Sequence, residues 1–299
     1  MALSIELCPP QGCEQTLNLW SQPEYMQAVM KLHKCDGYHL KCYKGKQLVA
    51  LLPIFEKKLL SYRTIISPSS GYYQGINLWM GESSRPARTL LDTLQVFRYI
   101  ASFLQEMYKR IHFNLTPDTT DVRGFTWEKL KAKPLYTFVH DYNDAGIPLT
   151  EVQYNISKAE KSGFHFAEEL NLPALLKLIR AMNGRKNLES GVSYHALDDF
   201  YLSLHEAGLL RQFNLFLDNR IVSSNVLLYN KGNIAYSVLR ATDQEALSKG
   251  ASSLHTHALI NILKPELAEL DFCGANVADV ARFKAAMGLK LKVFYQIHT

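Results

Sequence analysis

Two charged residues in the last third of the chain stand where they could do chemistry. Arg240 closes an apolar run that includes Val238 and Leu239, and a guanidinium in such surroundings needs a partner. It can bind an anionic ligand group, or it can pair with Asp243 or Asp271. Asp271 opens the segment Asp-Phe-Cys-Gly, and a carboxylate there can take a proton through a water molecule or accept backbone N–H groups. Each residue therefore has a catalytic and a structural interpretation.

Several enzyme classes are disfavoured because their sequence motifs are missing. The chain contains no G-x-x-x-x-G-K-[ST], no G-x-G-x-x-G after a strand, no G-x-S-x-G and no H-E-x-x-H. Five cysteines, an odd number without a C-x-x-C pair, argue against a disulfide framework. The close histidines His255 and His257 are two residues apart, which places their rings on different faces of a predicted helix surface. We therefore expect no metal site.

The elements that must position these residues occur twice along the chain. Each half has a hairpin, a long helix, a short buried strand, a short helix and a final strand. Strands that alternate with helices after an opening meander predict an α/β fold with a mixed sheet. In the first half the predicted segments are a helix that starts after Ser21, then 38–43, 47–55, 85–110, 111–115, 122–130 and 135–142; in the second they are the helices 151–161 and 173–183, then 212–217, 221–229, 234–240, 252–263, 269–273, 277–287 and 291–298.

Length and charge agree with two domains of moderate size. At roughly 150 residues per domain, 299 residues predict two domains, and a cluster of Asn, Asp, Gly and Pro at 143–148 places the boundary near residue 145.

The charge of the chain is only slightly biased. The first half has 17 basic and 13 acidic residues and the second half has 16 and 15, which is too weak a bias for a protein that coats nucleic acid. No apolar run approaches the ~20 residues of a membrane span and no secretory signal is present, so we expect a cytoplasmic protein.

Three stretches of the second half, in order, resemble a known family. They are Tyr154-Asn-Ile-Ser-Lys-Ala-Glu-Lys-Ser-Gly-Phe164, Tyr236-Ser-Val-Leu-Arg-Ala-Thr-Asp243, and Leu270-Asp-Phe-Cys-Gly274 followed by Ala281-Arg-Phe-Lys-Ala-Ala-Met-Gly288. Together they look like the FemABX-type branch of the GNAT acyltransferase superfamily. The first half resembles that family's degenerate first domain mainly in the order of its elements.

The resemblance implies two tandem GNAT-like acyl-CoA N-acyltransferase-fold domains, at 1–145 and 146–299. The first would recognise the acceptor, and the second would carry the donor site in a gap between 234–240 and 269–273. Backbone N–H groups would polarise the donor carbonyl while an amine attacks, with Asp271 and Arg240 as the catalytic residues. The implied cofactor-binding residues are Ala241, Thr242, Lys249, Gly250, Ser252, Ser253 and Asn276.

The phosphate-binding loop departs from the family pattern. Acetyl-CoA users normally carry [QR]-x-x-G-x-[GA], whereas this chain reads Asp243-Gln-Glu-Ala-Leu-Ser-Lys-Gly-Ala-Ser-Ser253. Gly250 could allow close approach of a phosphate, Lys249 could add charge, and Ser252 and Ser253 stand where helix-capping hydroxyls are expected. The alternative is an ordinary helix start. Asn276, Arg282 and Lys284 follow the last buried strand, where basic residues are expected to be solvated.

We therefore expect an N-acyltransferase that moves an acyl group from an acyl-CoA to an amine acceptor bound between the domains, without a metal. One alternative is an aminoacyl-tRNA-dependent enzyme acting on a peptidoglycan precursor, which would need a basic patch. The other is a non-catalytic binding protein. The residues expected in that tRNA patch are Arg180, Arg185, Lys186, Arg211 and Lys249; those expected to meet an anionic acceptor are Lys57, Lys58, Arg63 and the run Tyr72-Tyr73-Gln74.

Overall fold

The computed structural model describes residues 2–59, 62–80, 85–230 and 232–299. Within them the chain forms two compact units. The first unit comprises Met1–Leu135 and Val293–Thr299, and the second comprises Tyr136–Lys292. The units therefore divide ten residues before the boundary expected from the turn-forming cluster, and the last seven residues of the chain lie in the first unit.

Thirteen strands and nine α-helices are present in the described ranges. The strands are β1 (Leu3–Cys8), β2 (Asp36–Lys44), β3 (Gln47–Leu59), β4 (Tyr62–Ile66), β5 (Asn77–Leu78), β6 (His112–Asn114), β7 (Lys131–Asp141), β8 (His165–Glu168), β9 (Leu210–Leu217), β10 (Arg220–Tyr229), β11 (Ile234–Thr242), β12 (Glu269–Asp271) and β13 (Lys290–His298). The helices are α1 (Pro23–His33), α2 (Pro86–Met107), α3 (Arg123–Trp127), α4 (Thr150–Glu160), α5 (Leu172–Lys186), α6 (Tyr194–Glu206), α7 (Gln244–Ser248), α8 (Ala251–Leu263) and α9 (Ala278–Ala286).

The first unit is built on an antiparallel sheet in the order β1-β2-β3-β4, and β5 also pairs with β3. The helix α2 begins at Pro86, where the missing proline N–H costs no helical hydrogen bond. Its buried residues Phe97, Ile100 and Leu104 pack into the core that the sheet also supplies. The C-terminal strand completes this unit, because residues 296–298 of β13 pair with β6.

The second unit has a mixed sheet in the order β7-β12-β11-β10-β9-β8. The pair β11 and β12 is parallel and the other described neighbours are antiparallel. The turn at Asp218 and Asn219, both with positive φ, closes the hairpin of β9 and β10, as hairpin turns of this kind require. Apolar residues of the sheet, α4 and α8 form the core, which includes Phe213, Leu227 and Leu259.

The duplicated order of elements is present, with an exchange of final strands. The strand that ends the first repeat, β7, pairs through residues 139–141 with β12 in the second unit. The strand that ends the second repeat, β13, pairs with β6 in the first unit. The boundary between the two sequence repeats, expected near residue 145, therefore differs from the boundary between the two packed units. The reason is that the final strand of each repeat pairs with a strand of the other repeat.

Several elements of the structure are not predicted by the sequence patterns. The strands β1, β4, β5 and β8 and the helices α6 and α7 were not expected. α6 has a capping side chain, since Ser193 accepts from the N–H of Ala196, and an amphipathic pattern that could have been recognised. In the described ranges, no helix combines the length and the apolar character that a membrane crossing requires.

Candidate functional site

The strands β11 and β12 separate after three residue pairs. Their parallel register runs from Ile234 and Glu269 to Tyr236 and Asp271. Beyond that point the described chain after β12 follows β7 instead, since the Phe272 N–H donates to the Phe138 carbonyl at 2.9 Å. Residues 237 and 239–242 of β11 pair only with β10 on the described chain. One edge of β11 is therefore left without a strand partner, at the gap expected between these two strands.

A β-bulge lies on β11 in its ladder with β10, on the edge opposite the open one. Val226 of β10 pairs with Leu239, and Leu227 pairs with Ser237, so Val238 is an extra residue. A bulge bends its strand and changes the direction of the following side chains and backbone groups. The bulge, which no pattern in the sequence predicted, shifts the register so that Arg240 and not Leu239 stands opposite Asn225.

The guanidinium of Arg240 is half-buried and has no carboxylate partner among the described residues. Its Nη1 donates to the Ser252 carbonyl at 3.2 Å and to the Thr256 hydroxyl, and the group lies 5.0 Å from the centre of the Phe283 ring. Burial lowers the pKa of the guanidinium to about 10, so it is charged at neutral pH. A half-buried charge without a counterion is partly desolvated at a cost, and an anionic ligand group would relieve that cost.

Neither aspartate named as an alternative partner pairs with Arg240. Asp243 caps α7 by accepting from the Glu245 N–H at 2.9 Å. Asp271 is buried, and its Oδ1 accepts from the Thr137 hydroxyl at 2.5 Å and from the Cys273 N–H at 2.7 Å. These two contacts fix the Asp271 carboxylate where β11 and β12 separate and hold the turn at Cys273, whose φ is +43°.

Lys284 is buried, contrary to the solvated position expected for it. Its ammonium donates to the carbonyls of Phe272, Cys273 and Gly274 at 2.7, 2.6 and 2.5 Å. Burial lowers the pKa of Lys284 to about 8, and the positive charge of Arg240 acts in the same direction. The amphipathic spacing of α9 does not predict the burial of Lys284, because the three acceptor carbonyls belong to a turn whose path depends on the tertiary fold.

The segment expected to bind phosphate differs from the expectation in its details. The short helix α7 occupies its first part, and α8 begins after Gly250, which has a φ of +81° and acts as N-cap without a side-chain cap. Ser252 and Ser253 therefore lie inside the first turn and do not cap the helix. A Cβ on Gly250 would come within 2.4 Å of the Asn155 carbonyl oxygen, so the glycine permits close packing against α4.

The remaining predicted ligand-binding residues are spread around this edge. Lys249 is exposed, and Ala241 and Thr242 are buried at the end of β11. The Thr242 hydroxyl lies 2.8 Å from the Ser223 hydroxyl, and its carbonyl accepts from Arg185 at 3.0 Å. Asn276 is exposed, and its side chain pairs with the backbone of Tyr136.

His255 is buried rather than at a helix surface. Its Nδ1 lies 2.8 Å from the Ser223 hydroxyl. Burial, aided by the charge of Arg240, lowers the pKa of His255 to about 3, so the ring is neutral. Within the described ranges no group of three or more His, Cys, Asp or Glu side chains is placed to hold a metal ion.

Two of the residues expected to meet an anionic acceptor form contacts within the first unit instead. Arg63 donates to the buried carboxylate of Glu56 and to the Tyr108 hydroxyl, so its charge is compensated. Tyr73 is buried against Trp20 and Phe294 in edge-to-face contacts. Of the expected set, Lys57 and Lys58 are the exposed cations.

Comparisons with known proteins identify the fold. No protein-family model matches this sequence, and no curated protein matches it. Among solved structures, FemX superposes with a TM-score of 0.67 at 13% identity, over 92% of this chain and 90% of that one. A conserved protein of unknown function from Bacteroides thetaiotaomicron gives 0.61 at 11% identity, covering 92% and 89%. L-PGS from Bacillus licheniformis gives 0.58 at 12% identity, covering 92% and 91%.

These likenesses extend over nearly the whole of each chain, so they concern both halves and not a single domain. They agree with the duplicated order of elements. The chain therefore has a mixed α/β fold of two tandem GNAT-like domains, and it resembles the FemABX-type branch of the GNAT acyltransferase superfamily.

Proposed function

We propose that the protein is an acyltransferase that moves an acyl group from an acyl-CoA to an amine. The observation that carries this proposal is the half-buried guanidinium of Arg240, without a counterion on the described chain, next to the unpartnered edge of β11. An edge of free backbone N–H groups suits a polarised carbonyl, and a fixed cation suits the phosphates of a CoA donor.

The proposed reaction uses three groups of the second unit. Backbone N–H groups of residues 237–240 stabilise the negative charge that develops on the donor carbonyl oxygen, an effect worth about 3 kcal/mol per donor in comparable sites. The amine forms a C–N bond as the C–S bond of the thioester breaks. Asp271 takes the proton of the amine through a water molecule, and the proton ends on the thiol. Arg240 holds an anionic group of the donor.

The second candidate donor is an aminoacyl ester of tRNA, with a peptidoglycan precursor as acceptor. The packing of Gly250 against α4 favours the tRNA donor. The absence of a side chain at Gly250 opens no room for a CoA pyrophosphate, because the Asn155 carbonyl occupies that space. The two ion pairs of Arg211 argue against the tRNA donor. Arg211 donates to Glu168 and Glu266, so one member of the expected basic patch has its charge compensated.

Thermal unfolding in the presence of candidate donors tests the proposal. We expect acetyl-CoA or a longer acyl-CoA to stabilise the protein, by about 2.7 kcal/mol at 100 times its dissociation constant. Acetyl-pantetheine, which has the thioester but no phosphate, should stabilise it far less. Stabilisation by an aminoacyl-tRNA but by no acyl-CoA would establish the second candidate. An absence of stabilisation by either class would contradict the proposed function.

A further inference from the structure

The first unit contains a cavity of about 650 Å³ that opens widely to solvent and includes none of the residues of the candidate site. Its walls are one face of α2, the end of β5 and the loop before α3. A volume of this size is within the range of roughly 300 to 1,000 Å³ that small-molecule sites occupy. The cavity is therefore large enough for a ligand of several carbon atoms.

The walls of this cavity are largely apolar. Leu78 and Leu90 line it although 37% and 44% of their surfaces are exposed. Phe97 forms a buried wall and is held by stacking on Phe125, with ring centres 4.9 Å apart. Exposed leucines that face a concave space gain more from an apolar ligand than scattered surface leucines do. An apolar ligand body fits these walls.

The charged residues of the lining are both acidic. Asp121 is paired with Arg123 at 2.7 Å. Asp118 forms no ion pair with any residue that the structure describes, and no lysine, arginine or histidine contributes to the described lining. The hydroxyl of Thr93 donates to the Thr89 carbonyl, so it is already engaged. The uncompensated charge of the cavity is therefore a carboxylate, which attracts a cation and repels an anion.

We propose that this cavity binds a small organic amine in its protonated form. The apolar body lies against Leu78, Leu90 and Phe97, and the ammonium group lies at Asp118. This site is separate from the acyl transfer proposed for the second unit and does not depend on it. Its proposed ligand is a cation, whereas the sequence led us to expect an anionic acceptor in this half of the chain.

Three probes that share a phenethyl body and differ in their terminal group test the site by ligand-observed NMR on the full chain: phenethylamine, phenethyl alcohol and 3-phenylpropionate. We expect phenethylamine to bind about fivefold more tightly than the alcohol, the upper range for an exposed ion pair, and 3-phenylpropionate to bind most weakly. Asp118→Asn should remove the advantage of the amine over the alcohol and leave the affinity for the alcohol unchanged. No binding of phenethylamine, or equal binding of all three probes, would overturn the proposal.

A matched pair of variants locates the binding. Leu90→Arg places a cation in the cavity lining and should abolish binding of phenethylamine. Leu91→Arg makes the same change at the next residue of α2, which is 61% exposed and outside the lining, and should leave binding intact. Thermal unfolding confirms that both variants are folded. Equal effects of the two variants, or an Asp118→Asn variant that keeps the preference for the amine, would rule out this site.

Discussion

The Arg240→Met variant is expected to lose donor binding without losing stability. The donor should bind about 100-fold more weakly, because a charge-assisted contact from a half-buried guanidinium to an anionic group contributes up to about 3 kcal/mol. The ligand-free variant should be as stable as the wild type or slightly more stable. Methionine removes a charge that has no counterion on the described chain, and this gain offsets the loss of the contacts with Thr256 and Phe283.

Two further substitutions make this result specific. Arg282→Met removes an exposed cation of α9 and should change neither donor binding nor stability. Arg240→Lys keeps the charge but loses the forked donor, so its donor affinity should lie between those of wild type and Arg240→Met. Titration calorimetry gives the affinity and chemical denaturation gives the stability. A large loss of stability in Arg240→Met with unchanged donor affinity would mean that Arg240 is a structural residue.

The Lys284→Met variant is expected to be less stable than the wild type by about 2 to 4 kcal/mol at neutral pH. The substitution leaves three carbonyls of the turn after β12 without their donor, and unsatisfied buried acceptors cost about 1 to 3 kcal/mol each before relaxation. Because this turn carries Asp271 and Cys273 next to the gap, the variant should also bind the donor less tightly. Arg282→Met, two residues earlier on α9, is the control for both measurements.

The same variant has a defined pH dependence. The pKa of Lys284 is about 8 in the folded protein and 10.5 in the absence of burial. Between these values the unfolded chain holds a proton that the folded protein has released, so the stability from this group rises with pH. The stability difference between wild type and Lys284→Met should therefore widen by about 1 to 2 kcal/mol from pH 8 to pH 9.5. A difference that narrows over this interval would contradict the burial of this charge.

The sequence was informative where local patterns decide structure. The hairpin of β9 and β10 follows from two β-rich runs joined at Asp218 and Asn219, and α8 was expected to within one residue of its observed start. Long helices and hairpins depend mainly on contacts close in sequence, so turn chemistry and periodicity are sufficient to recognise them.

The sequence was uninformative where contacts distant along the chain decide structure. The bulge at Val238 is visible only in the register of β10 against β11, and the burial of Lys284 depends on the carbonyls of another segment. The assignment of residues 293–299 to the first unit depends on pairing with β6, which is about 180 residues away in sequence. Arg240 was recognised as a residue in need of a partner, but only the structure excludes Asp243 and Asp271 as partners on the described chain.

Amide hydrogen exchange along β11 tests the central claim most directly. In the ligand-free protein, amides of residues 237–241 that face the open edge should exchange quickly, because no described strand pairs with them there. Addition of the donor that stabilises the protein should slow exchange in this segment and in the first turn of α8. Protection by the donor elsewhere in the chain, with unchanged exchange at 237–241, would contradict the account.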